Sequence, residues 1–232
     1  YGTIRPKRVI YPGERPLHAL RERGVEYVEV RLMDLDPFET IGIDAYTARF
    51  LDMFLLHCLL SDSPPDTPAE IAALKANQHL TAARGREPGL VLKRMGQDVL
   101  LADWAAELVA ELAPIAAALD AVHGGSGYAE ALADAQAALN APDTLPSARV
   151  LHTVRRDHGD SFVAFVRERS RNTRAALLAL PYGEALKARF DRMAADSVAE
   201  QKHIEATDSM PFEIYRREYV SPARLGRGAR AA

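Results

Sequence analysis

The sequence predicts an α+β fold, with a small piece of sheet at the front and a helical body behind it. Three observations carry this expectation. Val25-Glu26-Tyr27-Val28-Glu29-Val30-Arg31-Leu32-Met33 alternates with period two, the pattern of a half-buried strand. Ile4 to Ile10 is a basic and β-branched run, and Pro6 inside it suits an edge strand or a loop. Alanine and leucine dominate most of the chain beyond residue 68, as helix propensity favours.

The elements follow in order. Tyr11-Pro12-Gly13 punctuates the chain, and residues 15 to 23 suit a short helix that stops at Gly24. In the strand from 25 to 33, Val28, Val30 and Leu32 share one face, which we expect to be buried against helices. Glu29 and Arg31 share the other. Asp44 is a suitable cap for a helix running through Phe50, Leu51, Phe54 and Leu55 towards Leu60. Ser61 to Pro68 is a polar, proline-rich loop. Helices are then expected at about 68–83, 102–122, 126–140, 146–157, 160–179 and 183–206, with Pro114 kinking the second. Gly85 to Met95 interrupts them with one loop and a short strand, and the tail after Tyr219 reads as frayed. As domains, we expect a sheet portion at 1–60 and a helical portion at 61–232.

With 232 residues, 48% of them hydrophobic, the chain can bury a real core. A net charge of -3 argues against a dedicated nucleic-acid binder, which usually carries a basic excess. Each apolar stretch is broken by a polar residue well before membrane-spanning length, and we expect a cytoplasmic protein without a membrane partner. The single cysteine, Cys58, sits in the apolar run Phe54 to Leu60, where packing is the expected role. The chain opens on Tyr1 inside a strand-like pattern, so we expect a piece of a longer protein.

The sharpest chemical feature is the pair Glu29 and Arg31. Two residues apart on a strand, they set a carboxylate beside a guanidinium on one face. A carboxylate can hold Mg²⁺ by hard oxygen ligation, and an arginine fork fits a phosphate or carboxylate at two points. The same spacing also describes an ordinary surface ion pair. Arg5, Lys7 and Arg8 could neutralise nucleotide phosphates, or simply protect a solvated edge strand.

Tyr1-Gly2-Thr3-Ile4-Arg5-Pro6-Lys7-Arg8, then Gly24-Val25-Glu26-Tyr27-Val28-Glu29-Val30-Arg31 and Asp34-Leu35-Asp36-Pro37-Phe38, resemble the proteobacterial form of glutamate–cysteine ligase. The similarity continues through Gly42-Ile43-Asp44 and Arg49-Phe50-Leu51-Asp52. Weaker echoes follow at Gly85 to Leu90, Gly124-Gly125, Ser147 to Leu151 and Pro211-Phe212. The resemblance implies the C-terminal half of an ATP-dependent ligase with an antiparallel sheet related to that of glutamine synthetase. Such an enzyme uses ATP and Mg²⁺ to form an acyl phosphate on the side chain of L-glutamate, which the amine of L-cysteine attacks. This is the first step of glutathione synthesis. Carried over by resemblance, Glu29 matches a magnesium ligand, and Arg31 matches a catalytic arginine beside the substrate and transferred phosphate. Tyr1 matches a tyrosine at the cysteine site, and Arg5, Lys7 and Arg8 match a basic segment on the nucleotide side. Two departures stand out: Leu32 replaces the family's small or polar residue after the arginine, and the N-terminal half with the other metal carboxylates is missing. The chain alone is therefore not expected to be a competent enzyme.

The remaining candidates have bland readings. His57, His79, His123, His152, His158 and His203 are scattered, without metal-ligand spacing. Asp157, His158 and Ser161 read as a helix end followed by a cap at Asp160, and Trp104 reads as core. Arg167, Arg169, Arg171 and Arg174 form a basic helix face, solvated by default. Two alternatives to the ligase reading remain: a non-catalytic helical module binding an acidic partner through the basic 149–192 region, and a related ligase joining glutamate to another amine.

Overall fold

The computed structural model describes residues 3–11, 14–31 and 33–221, arranged as two compact units, residues 1–34 with 180–232 and residues 35–179. Its class is α+β, with two small antiparallel sheets among many helices.

In the first unit, β1 (Ile4–Lys7) pairs antiparallel with β2 (Tyr27–Val30), and α1 (Pro16–Arg23) lies between them in sequence. Pro16 starts α1, where a missing N–H costs nothing, and Gly24 ends it at φ 73°. Arg23 anchors this turn. Its guanidinium contacts Glu14 at 2.7 Å, donates to the Val9 carbonyl at 2.8 Å, and lies over the Tyr11 ring. The same unit holds α9 (Glu184–Thr207) and α10 (Phe212–Tyr219), and Arg15 joins α1 to α10 by packing over the Tyr219 ring.

The two faces of the β1–β2 ribbon differ from the expected burial. The register puts Ile4 opposite Val30 and Pro6 opposite Val28, which gives one apolar face. Val28 and Val30 are nevertheless exposed, at 43% and 39%. The expected burial against helices is therefore corrected: a two-stranded ribbon supplies no second layer of its own. Leu32, expected on the same face, lies outside the described residues.

In the second unit, α2 (Ala45–Leu60) begins at Asp44, whose carboxylate accepts the Thr47 N–H at 2.7 Å. Thr67 caps α3 (Pro68–Arg84) in the same way. The loop and strand expected at 85–95 prove to be half of a hairpin, β3 (Val91–Arg94) with β4 (Gln97–Leu100). Asn77, almost buried on α3, clamps the hairpin by donating to the Lys93 carbonyl at 2.6 Å and accepting its N–H at 2.9 Å.

The helix expected over 102–122 is two helices, α4 (Leu101–Glu111) and α5 (Ala113–His123), divided at Leu112 just before Pro114. Asp120 on α5 receives the Tyr128 and Ala129 N–H groups at 2.9 and 3.0 Å, so it caps α6 (Gly127–Asn140) from a neighbouring helix. Met53 on α2, Leu112, Ala116 on α5 and Ala131 on α6 form the core. Phe165 on α8 (Phe162–Ala179) is buried among Phe38, Phe162 and His158 of α7 (Pro146–His158).

Three further expectations change. Trp104 is half-buried, with Arg94 over its ring at 5.2 Å, because α4 turns this side of the helix to the hairpin's basic end rather than to the core. Cys58 is exposed, one turn beyond the buried Met53 and on a different side of α2. The cap of α8 is Ser161, whose hydroxyl accepts the Ala164 N–H at 3.2 Å; Asp160 instead follows Gly159, whose left-handed φ of 54° ends α7, and itself has φ 64°. No helix among the described residues is long and apolar enough to cross a membrane.

Candidate functional site

The second face of the β1–β2 ribbon gathers charge. Arg5 stands opposite Glu29 and Lys7 opposite Tyr27, so period two brings Arg5, Lys7, Tyr27 and Glu29 to one side. The Arg31 N–H donates to the Thr3 carbonyl at 2.9 Å, which extends the pairing one residue further and turns Arg31 to that side as well. The geometry is direct: Lys7 Nζ lies 2.9 Å from Glu29 Oε2, and Arg31 Nε lies 3.6 Å from Glu29 Oε1. Glu29 and Arg31 thus share a face, as expected from the sequence. The long stems of Arg5, Lys7 and Glu29 leave these residues half-buried, while the apolar side is open.

A hydrogen bond from Lys7 holds the Glu29 carboxyl below its ordinary pKa, aided by the charges of Lys7, Arg31 and Arg5 and opposed by partial burial. Glu29 is therefore an anion over the whole neutral range, a requirement for any hard-metal ligand. Among the described residues no group of three or more His, Cys, Asp or Glu side chains gathers. Glu29 could ligate Mg²⁺ through its carboxylate oxygens, with phosphate, water or other polypeptide supplying further ligands.

The remaining sequence candidates separate from this face. Arg8 turns to the end of α1, donating to the Arg23 carbonyl at 2.9 Å and lying 3.5 Å from Glu26. Tyr1 lies outside the described residues. Tyr27 is a member of the face that nothing singled out, although the same alternation that pairs Glu29 with Arg31 also places it there.

The Asp36-Pro37-Phe38 motif has a structural explanation inside the second unit. Asp36 accepts the Phe38 N–H at 2.8 Å and lies 3.6 Å from Arg149. Arg149 and Arg169 stand 4.1 and 5.2 Å from the Phe38 ring centroid, and Arg169 also donates to the Pro37 carbonyl. Two cations of the basic 149–192 region are therefore spent on holding this loop. The Cys58 thiol is pushed up by partial burial, the opposite of an activated nucleophile.

The profile of the glutamate–cysteine ligase family matches residues 1–81. The glutamate–cysteine ligase of Azotobacter vinelandii is 47% identical over 94% of this chain, and that of Alcanivorax borkumensis is 41% identical over the same share. The chain spans 41% and 42% of these two relatives. Among solved structures, a Francisella tularensis glutamate–cysteine ligase in complex with AMP superposes with a TM-score of 0.84 at 33% identity, covering 94% of this chain and 43% of that one.

Proposed function

Because the chain belongs to the glutamate–cysteine ligase family, we propose that it supplies the C-terminal part of an enzyme joining L-glutamate to L-cysteine at the expense of ATP. The observation that carries this reading is the charged face of β1–β2, where Glu29, Lys7 and Arg31 meet within 3.6 Å. The catalytic contribution lies within residues 1–60, in a cytoplasmic enzyme. The AMP bound by the Francisella relative supports a nucleotide at this fold.

In this reading the ribbon is an electrostatic platform. The γ-carboxylate of glutamate attacks the terminal phosphorus of ATP, giving an acyl phosphate and ADP. Cysteine's amine then attacks the acyl carbon, and phosphate leaves as the amide forms. Arg31 offers a two-point fork to the phosphoryl oxygens, where negative charge is spread during transfer. Arg5 and Lys7 hold the nucleotide side of that charge, with Arg8 at the margin, and the resemblance assigns Tyr1 a role in binding cysteine. Glu29 would hold Mg²⁺, which neutralises phosphate charge when bound. Until then, Lys7 and Arg31 balance the carboxylate and keep it fixed on the face.

Kinetics of the complete enzyme test this assignment. Glu29→Gln keeps shape but loses the anion, so the Mg²⁺ concentration for half-maximal rate should rise and turnover should fall. Arg31→Lys keeps charge but loses the fork, and should cost on the order of a hundredfold in kcat. If both variants fold and turn over at near-native rates, the pair is only a surface ion pair.

A further inference from the structure

The geometry points to one face of α9 as the surface on which the rest of the ligase polypeptide seats; this rests on the reading above. Every residue from Glu184 to Thr207 is exposed, over 24 residues or about 36 Å of helix. A helix surrounded by water draws little stability from propensity alone, and most protein helices depend on packing an apolar face.

Such a face is present. Leu186, Phe190, Met193 and Ile204 recur at helical spacing on one side, with Ser197 and Glu200 between Met193 and Ile204, and are 42%, 46%, 52% and 57% exposed. Tyr182 stacks on Phe190 at 6.3 Å and extends the apolar surface towards the helix start. The other side is mostly polar or small, with Ala188, Arg192, Ala195, Ala199 and Lys202, and Val198 stands at its margin. One side is thus suited to an apolar groove and the other to water.

The occupant follows from length. The match to the Azotobacter relative spans 219 of 232 residues, leaving too few outside it to omit a 24-residue helix. In that relative the helix accompanies more than half a polypeptide besides, since this chain covers 41% of it. That remaining portion is the partner. It must present a concave apolar surface to Leu186, Phe190, Met193 and Ile204.

The test pairs this chain with a separately produced polypeptide carrying the other portion of the Azotobacter vinelandii ligase. Binding is measured by titration and the complex by light scattering, and γ-glutamylcysteine formation is followed in parallel. We expect a one-to-one complex that Leu186→Asp with Phe190→Asp weakens tenfold or more, an effect of hot-spot size. Arg192→Glu with Lys202→Glu, on the polar side, should leave the affinity unchanged. Circular dichroism should match for all chains, because these side chains are exposed here. No association, or equal affinity for the apolar-face variant, overturns the proposal. So does self-association of this chain abolished by the same variant, which assigns the face to a second copy. A complex that needs the apolar face but makes no product overturns the catalytic reading and leaves the docking surface standing.

Discussion

Glu29 is held on the ribbon face by Lys7, 2.9 Å from its Oε2, and by Arg31, 3.6 Å from its Oε1. Its alternation with Arg31 was visible in the sequence, because period two follows from strand geometry alone. Its tightest partner, Lys7, was not, because register between two strands separated by a helix depends on how α1 turns the chain back. The Lys7 contact has a pH consequence. A carboxylate whose folded pKa is depressed contributes stability above its unfolded pKa, and loses it as pH falls through the folded value. For Glu29 the loss begins below the ordinary 4.5. Replacing Glu29 by Gln removes that contribution, so the melting-temperature gap between the two chains should be largest near neutrality. It should shrink as pH falls below 4.5 and through the depressed folded value. A gap that stays constant with pH would mean the Lys7 hydrogen bond does not persist in solution. The gap itself will be small, because more than a third of each side chain is exposed, 36% and 38%, and solvent screens the pair.

At the scale of elements, caps and packing separate what was legible from what was not. Asp44 accepts the Thr47 N–H, so Asp44→Ala should lower stability by about 1 kcal/mol in urea denaturation. Met53→Ala should cost more, about 2–5 kcal/mol, since Met53 is fully buried at the centre of the core. An Asp44→Ala effect equal to that of Met53→Ala would mean the core is not where the structure puts it. Helix positions were readable because alanine- and leucine-rich runs and the stop at Gly24 announce themselves. β4 was not readable. It is four residues long, runs straight into α4, and follows a turn in which Met95 and Gly96 both have positive φ, a conformation Met does not advertise. The eight-residue α10 also escaped notice, since Phe212 to Tyr219 carries too few turns for a period to show.

At the scale of the molecule, charge and apolar surface are arranged in complementary ways. The ribbon sets its cations and Glu29 on one face and leaves Ile4, Val28 and Val30 exposed on the other. Helix α9 is exposed along its whole length. Burial patterns inferred from sequence assumed that every apolar face is covered, and within their own unit these two are not. The chain's share of its relatives' length, 41%, agrees with that. We propose that this polypeptide contributes to a ligase site without forming one alone, since no group of three or more metal-ligating side chains gathers around Glu29 among the described residues. ATP-dependent formation of γ-glutamylcysteine, measured for the isolated chain and again with the remaining ligase polypeptide joined to it, tests the claim most directly. The expected result is no turnover from the chain alone, turnover on joining, and a fall in that turnover in Glu29→Gln. Robust turnover by the isolated chain, or an unchanged rate for the joined Glu29→Gln enzyme, would contradict it.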